Sequence, residues 1–206
     1  MSQSFTPEKH GLATRIAHIG LALAVVTQLG TSLVMQPAEH GHASNVAFEI
    51  HEYAGLIALG FAFLFWVAMV TRSAGTSLGL LFPWFSTRRR TALWADTREH
   101  IKAARRLRLP DFSAQSPFAA AVHGLGLVLM SAMALSGASF YFLGSGDPDA
   151  GGLVGAAMTL HRGLANLVWA YLIGHAALAF LHHVTHHLDL REMWSLRSGH
   201  GSAGVH

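Results

Sequence analysis

Four long apolar stretches constrain this chain more than any other feature. They run roughly over 13–35, 48–70, 117–143 and 153–181. A bilayer core about 30 Å thick needs about 20 helical residues to cross it. Lipid leaves no backbone polar group unpaired, so only helices and closed barrels span a membrane. These stretches are too long for barrel strands and lack their alternation. The predicted fold is therefore all-α: an integral membrane four-helix bundle, up-down-up-down, with residues 1–206 forming one membrane domain. Composition agrees, with 51% hydrophobic and only 12% charged residues, about half the charge of a soluble domain. The N-terminus MSQSFTPEKHGLATR is polar, and no small-residue cleavage site follows a short apolar core. The first span is expected to insert and stay rather than be cleaved.

Charge orients the bundle. Of the 14 basic residues, 13 fall on one side of the four spans, and Arg162 is the exception. The link over 72–116 alone holds Arg72, Arg88, Arg89, Arg90, Arg98, Lys102, Arg105, Arg106 and Arg108. The opposite side carries Glu39, Glu49, Glu52, Asp147 and Asp149. The positive-inside bias predicts that both termini and the basic link are cytoplasmic. Within the link, Thr91 to Leu109 reads as a helix, with Trp94, Ile101 and Ala104 at helical spacing. Such a helix suits an anionic inner leaflet; a solvated charged linker is the plainer alternative. Membrane topology accounts for the basic charge, so nucleic acid is not an expected partner.

The chain has 15 histidines and no cysteine. Thiolate catalysis, disulfides, cysteine-held iron–sulfur clusters and covalently attached haem are excluded within it. Imidazole is then the obvious ligand for any metal. His51 and His161 lie toward the outer ends of their spans; His18, His123 and His175 lie toward the inner ends. The fourteen residues from His161 to His175 return to within about 40° of the starting direction and advance about 21 Å. One face of the fourth span thus carries one imidazole in each leaflet. His182 and His186 continue that stripe toward the cytoplasm.

Lipid penalises an unpartnered imidazole, and iron coordination between facing helices satisfies it. The expected arrangement is two bis-histidine haem sites, His51 with His161 outside and His18 with His175 inside. Imidazoles hydrogen-bonded between helices, or a zinc or copper site, are the alternatives; no acidic or thiolate co-ligand supports the latter. His123 has the depth to replace His18 or His175, or to bond a haem propionate, a quinone oxygen or a helix. Gly20, Gly55, Gly163 and Gly174 lie near the ligands, either for close approach of a flat macrocycle or for helix packing. Arg162 is placed to pair with an outer propionate, or with Glu49, Glu52, Asp147 or Asp149. HHVTHH, residues 182–187, has spacings that clip metals (His182/His186 and His183/His187) but reads better as a solvated helix end.

At TRIAHIGLA, FEIHEYAG, VHGLGLVLMSAMALSG and LHRGLANLVWAYLIGHAALAFLHH, the chain resembles the bacterial cytochrome b561 family. That family includes four-helix di-haem b subunits related to those of nickel hydrogenases. The resemblance covers roughly 8–195, and its ligand pattern maps onto His18, His51, His161 and His175. It implies two haem b groups, electron exchange with quinone, and residence in the bacterial inner membrane as part of a respiratory chain. It also implies a periplasmic redox partner, either a dehydrogenase or a c-type cytochrome. It leaves the oligomeric state open, a homodimer included. A superoxide oxidase passing electrons to ubiquinone is the alternative activity, and a non-redox haem carrier or metal transporter a third. Superoxide is an anion, and the five outer carboxylates disfavour it; they favour a cationic cytochrome c instead.

Overall fold

The computed structural model describes residues 11–38, 42–71, 76–106, 116–144, 151–185 and 194. Its elements are α1 (Leu12–Ser32), α2 (Val46–Thr71), α3 (Leu78–Leu81), a 3-10 turn (Pro83–Phe85), α4 (Thr87–Arg105), α5 (Pro117–Leu143) and α6 (Gly152–Val184). The described residues are nearly all helical, and α1, α2, α5 and α6 are each long and apolar enough to cross a membrane. The predicted spans are thus matched to within a few residues. At 1.5 Å per residue the 33 residues of α6 extend about 50 Å, well over the thickness of a core about 30 Å across. Its last turn carries His182 and His183.

The packing is inverted relative to a water-soluble bundle. The interior is rich in alanine: Ala17, Ala54, Ala58, Ala62, Ala120 and Ala134 are all buried. Large apolar side chains face outward instead, with Phe63, Phe142 and Phe180 about two-thirds exposed. Lipid removes the hydrophobic drive between helices, so small residues that allow close backbone approach take the interfaces. α1 packs on α2, α2 on α5 and α5 on α6. At mid-depth Val25, Leu29, Met130 and Val168 form one apolar cluster.

Local chemistry sets the helix ends. Ser116 caps α5 by accepting from the Ala119 amide at 3.1 Å, and Pro117 takes the first helical position, where its missing N–H costs nothing. At the start of α6, Gly152 has φ +71°, a left-handed conformation that a side chain disfavours.

The link between α2 and α5 is more structured than its charge foretold. α3 lies against α5 at Gly124, where an added Cβ would clash with the Leu81 carbonyl oxygen. Only glycine lets those two backbones meet. Phe82 then stacks on Trp66 at 5.5 Å. α4 begins four residues before the expected helix and ends at Arg105; residues 107–109 of the expected helix lie outside the described residues. Its inner face is formed by Leu93, Asp96, Thr97, His100 and Ala103. Trp94 and Ile101, expected on a common apolar face, point away from the bundle at 58% and 46% exposure.

One carboxylate latches α4 to α5. Asp96 Oδ2 accepts from the Ser116 hydroxyl at 2.6 Å and from the Phe118 amide at 2.9 Å. It thereby satisfies an amide that the first turn of α5 leaves without a helical partner, and places negative charge at the positive end of the helix dipole. Asp96→Ala is expected to lower stability by about 1–3 kcal/mol. Thermal unfolding of the purified chain in detergent measures this, and Asp96→Asn should recover part of the loss.

Candidate functional site

α6 organises the candidate site. His161, Val168, His175 and His182 recur every seven residues, which at 100° per residue holds them within about 60° on one face. Val168 is the buried residue of α6 and lies midway between the two intramembrane histidines. The mid-depth apolar cluster therefore separates two polar layers.

In the layer that charge predicts to be the outer one, the rings of His51 and His161 have centroids 6.3 Å apart at 79°. In the inner layer, His18 and His175 stand 6.4 Å apart at 56°. α6 meets α2 in one layer and α1 in the other. The structure thus brings together the two pairs expected from depth alone.

The outer imidazoles are pinned by matching contacts. His51 Nδ1 lies 3.1 Å from the Gln28 carbonyl and 3.1 Å from the Thr31 hydroxyl, both on α1. His161 Nδ1 lies 3.0 Å from the Met133 carbonyl and 3.0 Å from the Ser136 hydroxyl, both on α5. A carbonyl oxygen only accepts, so Nδ1 carries the proton in each ring. The hydroxyls donate elsewhere, Thr31 to the Thr27 carbonyl and Ser136 to the Ala132 carbonyl, each at 2.8 Å. They are therefore free to accept from the imidazoles. In both rings Nε2 remains as the nitrogen with a lone pair to offer a metal, because the partner of one nitrogen decides the role of the other. The Gln28 side chain also donates to the His51 carbonyl, and Gly55 leaves room for it.

The inner layer is built differently. Tyr171 stacks on His175 at 5.5 Å with an interplanar angle of 7°; it fits because Gly126 of α5 has no side chain where the phenol lies. Trp194 meets His18 edge-on at 6.0 Å. Arg15, one turn before His18, is buried at 8% exposure. His123 donates from Nδ1 to the Ala119 carbonyl at 2.7 Å, and its ring stands 5.2 Å from that of His175 at 89°.

Arg162 sits beside His161 on an exposed stretch of α6. Its expected partners Asp147 and Asp149 lie outside the described residues, as do Glu39, His186 and His187. Of the four glycines near the histidines, two have a packing role. Gly20 abuts Phe61 and Gly55 abuts Gln28, which is helix packing, whereas a Cβ on Gly163 or Gly174 would meet no atom within 4 Å. Sequence reasoning missed Thr31, Ser136 and Tyr171. Hydroxyls inside apolar spans were the available signal for the first two.

Four membrane-length helices around two layers of facing imidazoles define the class, a multi-pass membrane cytochrome of the b type. The chain belongs to the prokaryotic cytochrome b561 family, whose model matches residues 9–196. No curated protein and no solved structure matches the chain. Membership makes it an electron-transfer protein that binds haem b. The paired histidines fit that group. An imidazole nitrogen sits about 2 Å from a first-row metal, so two rings on opposite sides of one metal hold their centroids roughly 6–6.5 Å apart. The separations of 6.3 and 6.4 Å meet this. The 5.2 Å between His123 and His175 is too short.

Proposed function

We propose that this chain is a di-haem cytochrome that exchanges single electrons between a redox protein at its acidic face and quinone. The observation that carries the reading is the repeated imidazole separation in two layers, with α6 contributing to both. His51 and His161 hold the outer haem, and His18 and His175 the inner one. Each bound haem supplies one-electron iron chemistry. The protein's part is to hold the ligand rings. The Gln28 and Met133 carbonyls fix the outer tautomers and raise ligand basicity. Tyr171 fixes the plane of His175, and the cluster around Val168 keeps water out between the layers.

His123 presents Nε2 toward the inner layer and bonds a propionate or a quinone oxygen there. Arg162 pairs with an outer propionate through a charge-assisted contact. The basic ends are cytoplasmic, the membrane is the bacterial inner membrane, and residues 1–206 act as one membrane domain. Glu49 and Glu52 stand near the outer end of α2 and favour a cationic partner, such as a small c-type cytochrome, through long-range attraction.

The test is a haem count beside electron exchange. The purified chain should contain two haem b per polypeptide, be reduced by a quinol, and reduce a basic cytochrome c at a rate that falls as salt rises. A single haem per chain sinks the di-haem reading. A salt-independent rate with cytochrome c sinks the electrostatic part and leaves the haem assignment standing.

A further inference from the structure

We propose that the outward face of α4 is a binding surface for anionic lipid headgroups. Arg90, Trp94, Arg98, Ile101 and Arg105 fall within about 80° of one another around the helix. All five are exposed, and the opposite face is the one packed on α5. The Arg98 guanidinium lies over the Trp94 ring, 5.5 Å from its centroid. Arg98, Ile101, Lys102, Arg105 and Arg106 line a shallow surface depression. Over 87–106 the chain carries seven basic residues and two acidic ones, and Asp96, one of the two, is turned inward to cap α5.

Position in the fold selects the occupant. α4 is tied through Asp96 to the first turn of a membrane-length helix, and His100 packs on Phe118 of that turn at 4.7 Å. It follows directly on Trp84 and Phe85, which are 41% and 92% exposed. Aromatic side chains concentrate at the lipid–water boundary, so this end of the bundle lies at headgroup level. An arginine-rich stripe interrupted by tryptophan and isoleucine is the composition of a helix lying in that boundary. The apolar anchors enter the acyl region while the arginines meet phosphate. A solvated linker has no use for an outward tryptophan between arginines.

The full haem-loaded chain is placed in bilayer discs of phosphatidylcholine with a third of the lipid replaced by phosphatidylglycerol. The lipid retained after gentle extraction is then counted by native mass spectrometry. The wild type should retain phosphatidylglycerol selectively. Each arginine near an anionic surface alters affinity roughly fivefold, so the R90Q/R98Q/R105Q variant should lose at least tenfold of that preference while its haem spectrum is unchanged. A second readout needs no charge variant: brominated phosphatidylglycerol should quench the wild type more than W94F, and brominated phosphatidylcholine should discriminate less. Equal lipid retention by wild type and variant overturns the proposal. So does protection of α4 from hydrogen exchange that appears only when a soluble acidic protein is added.

Discussion

Replacing His161 or His175 by alanine is expected to remove about one haem from each variant, and a different one in each. The two side chains share a face of α6 but lie about 21 Å apart along it, with Val168 and its cluster between them. Across the bundle the His161 ring faces that of His51, and the His175 ring faces that of His18. With four histidines holding two haems as proposed, loss of one imidazole would leave a single-sided site and remove the low-spin signal of that layer. The other layer keeps both ligands and its own packing. A potentiometric titration followed in the visible range should therefore show two waves in the wild type and one in each variant, at different potentials. H51A should repeat the H161A titration, and H18A that of H175A. His123→Ala should keep both waves, because its ring is too close to His175 to share a metal with it. If the H161A and H175A chains both retain two low-spin haems, the four-ligand assignment fails.

Much of this site is legible in the sequence itself. Hydropathy located the four spans because lipid permits few alternatives to a long apolar helix. Charge bias ordered the histidines by depth, and a fourteen-residue spacing put His161 and His175 on one face. Depth and face together pointed to His51 with His161 and His18 with His175, with His123 as an alternative inner ligand, and the ring separations suit the first two pairs. What stayed hidden depends on how one helix is rotated and shifted against another. Nothing in the sequence around Thr31 says that its hydroxyl reaches a histidine twenty residues later on α2. The same holds for Ser136 and His161. Gly124 looked like any small residue of an apolar span, yet it marks where α3 meets α5. In the basic link the periodicity marked the helix but not which of its faces meets the bundle. Trp94 and Ile101 share a face, but the residues packed on the bundle are the less conspicuous Leu93, Thr97 and His100. Asp96 reads as one acid in a basic helix until Ser116 and Phe118 are seen to donate to it.

The matched hydroxyls of Thr31 and Ser136 lead to a second large effect, confined to the outer layer. Each outer imidazole shares its Nδ1 proton between a backbone carbonyl and a hydroxyl oxygen. These contacts place partial negative charge beside Nδ1, which would make Nε2 a stronger donor to a bound haem iron and would favour its ferric over its ferrous state. In T31V/S136A the carbonyl contacts persist, so the rings keep their tautomer while losing half of their hydrogen-bond support. Outer haem affinity should fall by about 10–100-fold, the usual cost of removing partners behind a metal ligand. The midpoint potential of the outer haem should rise, and that of the inner haem should stay where it is. The single variants should fall between, since each touches one ligand of the same metal. A purely structural role would loosen haem binding without moving the potential of the chains that remain fully loaded. The decisive measurement is therefore the titration of the loaded fraction alone. An unchanged outer potential there would mean that the hydroxyls steady the helices and do not tune the ligands. A shift of both potentials together would mean that the two layers are not electronically separate, contrary to the apolar cluster that stands between them.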